Sequence, residues 1–301
     1  LGAVISVGVA GFCVAVWFFA LGASDVALTQ LLVEILTVVI MVLALRHLPE
    51  RFPKAAVGSR VRRAVPAVAA GTVATMATLA LTGRSELSPA AEWFLGNAEA
   101  ETGGGNVVNT ILVDFRALDT FGELVVLAIA ALSITALLHA RRQVTRPETP
   151  PDNRLLVPAE PNLVFIRVLG RVLVPLMFIG SVYALLRGHN APGGGFIAAL
   201  IGAAALALHY LAAPTDEAAR SRLPYLPIAG AGIAVAAITG FLGLAEESFL
   251  KPLHGDILGY HFTTALVFDL GVYLAVFGVI LGALNQLGVP QAAAGKAGER
   301  R

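Results

Sequence analysis

Apolar runs of about twenty residues recur along this sequence and leave it few folds to choose from. Eight are long enough to cross a bilayer: residues 1–21, 26–46, 64–82, 119–139, 163–186, 194–213, 225–245 and 262–287. Lipid offers the backbone no hydrogen-bonding partner, so each run must satisfy its own N–H and C=O groups. No strand-like alternation competes, and the runs read as helices. The expected fold class is all-α, a polytopic membrane protein with eight transmembrane helices in two four-helix halves. Charged residues make up 14% of the 301 positions, against about a quarter in a soluble domain. A net charge of +1 argues against nucleic acid as a partner.

The connections divide by charge. Arg46, Arg51, Lys54, Arg60, Arg62 and Arg63 lie between runs two and three, and Arg141, Arg142, Arg146 and Arg154 between runs four and five. Arg220 and Arg222 follow run six, and Lys296, Arg300 and Arg301 end the chain. The alternate connections are acidic, with Glu86, Glu92, Glu99, Glu101, Glu246, Glu247 and Asp256. Basic loops stay in the cytoplasm. Eight spans therefore place both termini there, in a multi-pass membrane protein. The proline- and charge-rich stretch "RRQVTRPETPPDNRLLVPAEP" divides the chain. The expected modules are 1–140, a cytoplasmic linker 141–160, and 161–301, with four helices on each side. No internal repeat favours an inverted-repeat transporter within the chain. Residue 1 is Leu and opens directly into an apolar run, so the chain is expected to continue a longer polypeptide.

Ionisable residues inside the runs are the candidate chemistry, because charge in lipid is expensive and marks ion routes. Glu34 lies about eight residues, or ~12 Å, below the outer end of run two, close to the middle of a ~30 Å hydrocarbon core. Gln30, Glu34 and Thr37 share one helical face. Proton or cation handling is one reading; a protonated Glu bonded to a neighbouring helix is the other. The stretch "ILVDFRALDTFGELVVLAIAAL" puts Asp114, Arg116, Asp119 and Glu123 at the mouth of run four. Asp119 and Glu123 are i,i+4 neighbours whose proton affinities should rise together. Thr120-Phe121-Gly122-Glu123 also has the form of a capping box, in which Glu123 would only start a helix. Asp269 is a further acid within a run, with Tyr273 one turn on.

"RGHNAPGGGFIAAL", residues 187–200, turns between runs five and six. Its consecutive glycines allow close backbone approach, and their N–H groups could hold an anion. A tight packing turn is the alternative. His189 could titrate near neutrality, and Pro175 should kink run five. His47, His139 and His209 stand at cytoplasmic helix ends without ligand spacing. Cys13 is alone, so no disulfide or cysteine-held metal arises within the chain. No Ser-His-Asp set, haem motif or iron–sulfur cysteines are present in the sequence, so no cofactor, no metal site and no enzyme activity are expected.

Three stretches carry a family resemblance: "DVALTQLLVEILTVVIMVLALRHLP", "NVVNTILVDFRALDTFGELVVLAIAAL" and "LLRGHNAPGGGFIAALIGAAAL". They resemble the Mrp/Mnh-type multisubunit Na⁺/H⁺ antiporters, the first two the C-terminal region of the A-type subunit and the third the B-type subunit. The resemblance implies an A–B fusion whose large antiporter-like A bundle precedes Leu1. It implies C, D, E, F and G types of small subunit as partners, and Na⁺ and H⁺ as transported ions. By position it links Glu34, the His47-Leu48-Pro49 turn and Glu123 to transport; Asp119 and Asp269, read from their places at and within the runs, complete the expected ion path. For His189, Asn190, Pro192, Gly193, Gly194 and Gly195 it implies a role in assembly; Pro49 and Pro175 are expected to be structural. A purely structural scaffold, or the equivalent subunit of a membrane-bound hydrogenase or complex I-like pump, is the alternative. The A-like module is also similar to small subunits of those machines.

Overall fold

A computed structural model describes residues 2–45, 57–82, 86–144, 160–213, 221–257 and 260–287. Its helices are α1 (Gly2–Ala20), α2 (Ser24–Leu45), α3 (Val57–Thr82), α4 (Pro89–Thr102), α5 (Val107–Thr110), α6 (Ala117–Val144), α7 (Glu160–Arg187), α8 (Gly195–Ala212), α9 (Tyr225–Leu242) and α10 (Thr264–Leu287). Eight helical stretches among the described residues are long and apolar enough to span a bilayer, and each overlaps one of the eight runs. The protein is an all-α, multi-pass membrane protein.

Three features depart from a plain succession of spans. Helix α4 lies outside them. A five-residue π-turn, Ile111–Phe115, joins α5 to α6. Strands β1 (His254–Ile257) and β2 (Tyr260–Thr263) pair antiparallel, with His254 opposite Thr263. None carries a long periodic signal, and four- and five-residue elements fall below what a pattern can resolve. Helix α6 runs on to Val144, four residues into the stretch expected as linker. Residues 145–159 lie outside the described residues, as do His47 and Pro49.

The chain forms two compact units, residues 1–46 with 98–301, and residues 47–97. The second contains α3, whose described side chains are all exposed. In the first, α8 and α10 are the most buried helices, and α2, α6, α7 and α9 contact them. Phe268, Val272, Leu281, Leu124, Leu43 and Leu36 form its centre. In lipid no hydrophobic force drives helices together, so close contact at small residues must do so. Gly232 of α9 faces the Ala275 backbone, Gly271 of α10 faces that of Ala236, and Gly278 that of Ala229. Helices of the two halves of the sequence also interleave: α2 packs on α8 and α10, and α6 on α9 and α10. Helix α1 contacts α2 and buries only Ala15. A helix apolar all round is suited to lipid or to further helices.

Candidate functional site: a polar seam around the glycine turn

At the end of α7 the chain turns back within residues 188–194 and enters α8 at Gly195. The Gly194 N–H donates to the Ala184 carbonyl at 3.0 Å, and the Ala191 N–H to that of Arg187 at 2.9 Å. Gly194 has φ +92° and ψ 180°, a conformation essentially confined to glycine. A Cβ on Gly188, Gly193 or Gly195 would collide with the backbone of Gly194, Ala184 or Asp269 respectively. Pro192 is half-buried within the turn.

The glycine N–H groups do hold anions, and the anions belong to the protein. Asp25, in the first turn of α2, accepts from the Gly193 N–H at 3.1 Å. Asp269 of α10, 5% exposed, accepts from the Gly195 N–H. The Asn109 amide lies 3.5 Å from the same carboxylate. The anion reading and the packing reading of the turn thus describe one arrangement.

Asn106 ties these parts together. Its backbone N–H donates to the His189 carbonyl at 3.0 Å. Its side-chain amide reaches the carbonyls of Gly188 (3.0 Å) and Ala191 (3.1 Å) and the carboxylate of Asp25 (3.3 Å). Its Oδ1 accepts from the Asn109 N–H and caps α5. Asn190 accepts from the Gly105 N–H at 3.4 Å. His189 is buried; its Nε2 lies 3.1 Å from the Thr102 carbonyl and its Nδ1 3.9 Å from Asp114.

The four charges at the head of α6 have separate fates. The π-turn closes with an i→i−5 bond from the Arg116 N–H to the Ile111 carbonyl at 2.8 Å. It turns Asp114 inward, where its side chain is 3% exposed. Among the described residues, neither of its oxygens has a hydrogen-bond partner. His254 Nε2 of β1 lies 3.8 Å from its other oxygen, Oδ1. Burial first, and the charge of Asp269 second, push Asp114 up to about 7. Arg116 and Asp119 form an exposed i,i+3 ion pair. Glu123 is exposed on the outside of α6. The capping box does not form. Helix α6 starts at Ala117, so Thr120 is inside it, and the Thr120 hydroxyl donates to the Leu112 carbonyl of the π-turn at 2.7 Å.

Glu34 lies half-buried in α2 against α1. Its carboxylate fills the space that a Cβ on Gly11 would need, and its Oε1 is buried without a partner. Helix α7 continues through Pro175 as one helix. The structure therefore brings His189, Asn190, Pro192, Gly193, Gly194, Gly195 and Asp269 together. It leaves Glu34, Asp119 and Glu123 apart from them. Asp25, Thr102, Asn106, Asn109, Asp114 and His254 complete the seam. The paired asparagines of "NVVNT" before a span were the legible signal for part of it, since amides at that depth need partners.

Fold and seam define a polytopic membrane protein with carboxylates and amides locked between apolar helices. Family models match along nearly the whole chain: the D-type subunit of MBH over residues 1–50, the E-type subunit of MBH over 58–154, and a domain related to the MnhB subunit of Na⁺/H⁺ antiporter over 165–282. The chain is 33% identical to the A/B-type subunit of a probable K⁺/H⁺ antiporter of Rhizobium meliloti, over 92% of its own length and 31% of the relative's. It is 42% identical to the A-type subunit of the Na⁺/H⁺ antiporter of Alkalihalophilus pseudofirmus, over 46% of this chain and 18% of that protein. A chain of the Mrp complex from Dietzia sp. DQ12-45-1b superposes with a TM-score of 0.86 at 52% identity, over 96% of this chain and 32% of that one. A chain of an archaeal membrane-bound sulfane sulfur reductase shares the fold, with a TM-score of 0.54 at 21% identity. The chain belongs to the Mrp/Mnh-type multisubunit antiporters, joining the C-terminal region of the A-type subunit to the B-type subunit. It spans about a third of the length of the relatives it matches most fully.

Proposed function

We propose that this chain is part of a multisubunit cation/H⁺ antiporter, lends intramembrane carboxylates to its proton or cation path, and joins its antiporter modules. The observation that carries the reading is Glu34, a carboxylate inside a span with one oxygen buried and unpartnered. A purely structural acid would be expected to bond a neighbouring helix. An ion-carrying one must leave a coordination place open. The proposed partners are the remaining A-type bundle and the small subunits of C to G types. The proposed cargo is H⁺ against Na⁺ or K⁺, as in the names of the relatives. The matches to the D-type and E-type MBH subunits mark a module shared with redox machines. The MnhB-related half, with the A/B-type relative, favours an antiporter over a redox-driven pump.

Glu34→Gln and Glu123→Gln test the path. Glutamine keeps shape and cannot titrate. Glu123 fills no capping box, so its replacement removes chemistry alone. Both variants should assemble, and antiport in vesicles should fall about a hundredfold, the low end of what a proton-transfer group contributes. Normal antiport in both would leave the scaffold role.

The asymmetry of basic and acidic loops supports an orientation with both termini in the cytoplasm and the glycine turn with the hairpin outside. In a Cys13→Ser background, Glu92→Cys should react with an impermeant maleimide from outside and Arg146→Cys only from inside. Labelling of both from one side would break this topology.

A further inference from the structure

Three carboxylates enter the seam, and two are fully engaged. Asp25 accepts from Gly193 and Asn106, and Asp269 from Gly195 with Asn109 beside it. Asp114 is the exception: buried, with both oxygens unbonded, between two imidazoles just beyond hydrogen-bonding distance. We propose that Asp114 is a proton-exchange site at the external face, loaded and unloaded through His254, with His189 a second, fixed imidazole beside it. This rests on the ion-path reading above.

The two histidines differ in a way that assigns their roles. The Thr102 carbonyl can only accept, so His189 Nε2 carries its hydrogen and Nδ1 faces Asp114. His189 is therefore either an imidazolium beside a carboxylate, or a neutral ring whose lone pair faces a protonated acid. The His189 ring is 10% exposed and sits on the backbone-bonded turn, which fixes it. The His254 side chain is 29% exposed and stands on the hairpin, in reach of both water and Asp114. In the exchange, an N–H bond of the His254 imidazolium breaks and an O–H bond forms on Asp114, leaving neutral imidazole and a carboxylic acid. The reverse step returns the proton. Closing the 3.8 Å gap needs only a small side-chain rotation. A structural clasp would hold its partners at bonding distance, as Asp25 does.

The titratable groups around Asp114 are His189 of the turn, His254 of β1, Asp269 of α10 and, across Asn106, Asp25 of α2. The two acids oppose a second negative charge and the two histidines favour it. Because Asp114 titrates near 7, its charge responds to the pH of water at a bacterial surface.

The test is modification of Asp114 by a membrane-permeant carbodiimide, which attacks the protonated acid, in the assembled complex, with mass spectrometry of the Asp114 peptide. Wild-type labelling should fall as pH rises through about 7. His254→Gln removes the group that can stand as a cation beside Asp114 and should move that fall upward by about one pH unit. His254→Lys keeps a cation, and the fall should stay at or below the wild-type position. In sealed right-side-out vesicles with the two pH values set apart, labelling should follow the external one. An unmoved fall in His254→Gln, an equal shift in both variants, or labelling that follows the internal pH overturns the proposal. Labelling needs no turnover. Normal antiport in Glu34→Gln and Glu123→Gln together with the His254 shift would therefore sink the ion-path reading and leave the site. Lost antiport without the shift would do the reverse.

Discussion

Gly194→Leu should abolish assembly of the complex. Leucine at φ +92° is strained by about 1–3 kcal/mol before any contact is counted. Its side chain would then press on the Asn109 amide and the Asp269 carboxylate, which the turn holds against α8. The combined loss should exceed about 4 kcal/mol, the range reserved for broken networks and overpacked cores. Recovery of intact complex on native gels should drop to background. Asn190→Ala, which deletes one long bond to the Gly105 N–H, should cost about 1 kcal/mol or less and assemble normally. Normal assembly of Gly194→Leu with lost transport would make the turn an ion site instead.

The second large effect is expected at Asp25. Alanine there strands the Gly193 N–H and one contact of the Asn106 amide, both inside the seam. The orphaned Gly193 N–H costs about 1–3 kcal/mol and the lost contact of the Asn106 amide, still bonded to Gly188 and Ala191, about 1 kcal/mol, so Asp25→Ala should destabilise the purified complex by about 2–4 kcal/mol. Asp25→Asn retains an accepting oxygen and should lose less than half of that. Thermal unfolding in detergent separates the two. If asparagine is as damaging as alanine, the charge of Asp25 matters beyond its hydrogen bonds, and it belongs with the ion path.

Glu34 was legible because an acid in a long apolar run stands out against its neighbours wherever the helix packs. Asp269 was legible for the same reason. Asp114 stood in plain view among four charges, yet its burial depended on the π-turn, which no residue between Ile111 and Phe115 announces. The capping pattern at Thr120 misled because a four-residue motif cannot say where a helix begins, and α6 begins three residues earlier. His254 belonged to a stretch too short and irregular to assign, and only pairing with β2 carries it to Asp114.

Apolar length alone determined that this chain is helical, that its described residues hold eight helices long and apolar enough to cross a membrane, and where most of them begin and end. The reason is that backbone groups in lipid must be satisfied within their own segment, so the rule is local and shows in the sequence. Which charges are buried, which carboxylate answers which glycine N–H, and which acid is left without a bond were decided by the tertiary structure. Asp25, Asn106, His189 and Asp269 are up to 244 positions apart (269 − 25). They meet only because close-packed helices from both halves of the chain bring α2, the asparagine turn and α10 to the one place where the glycines leave room.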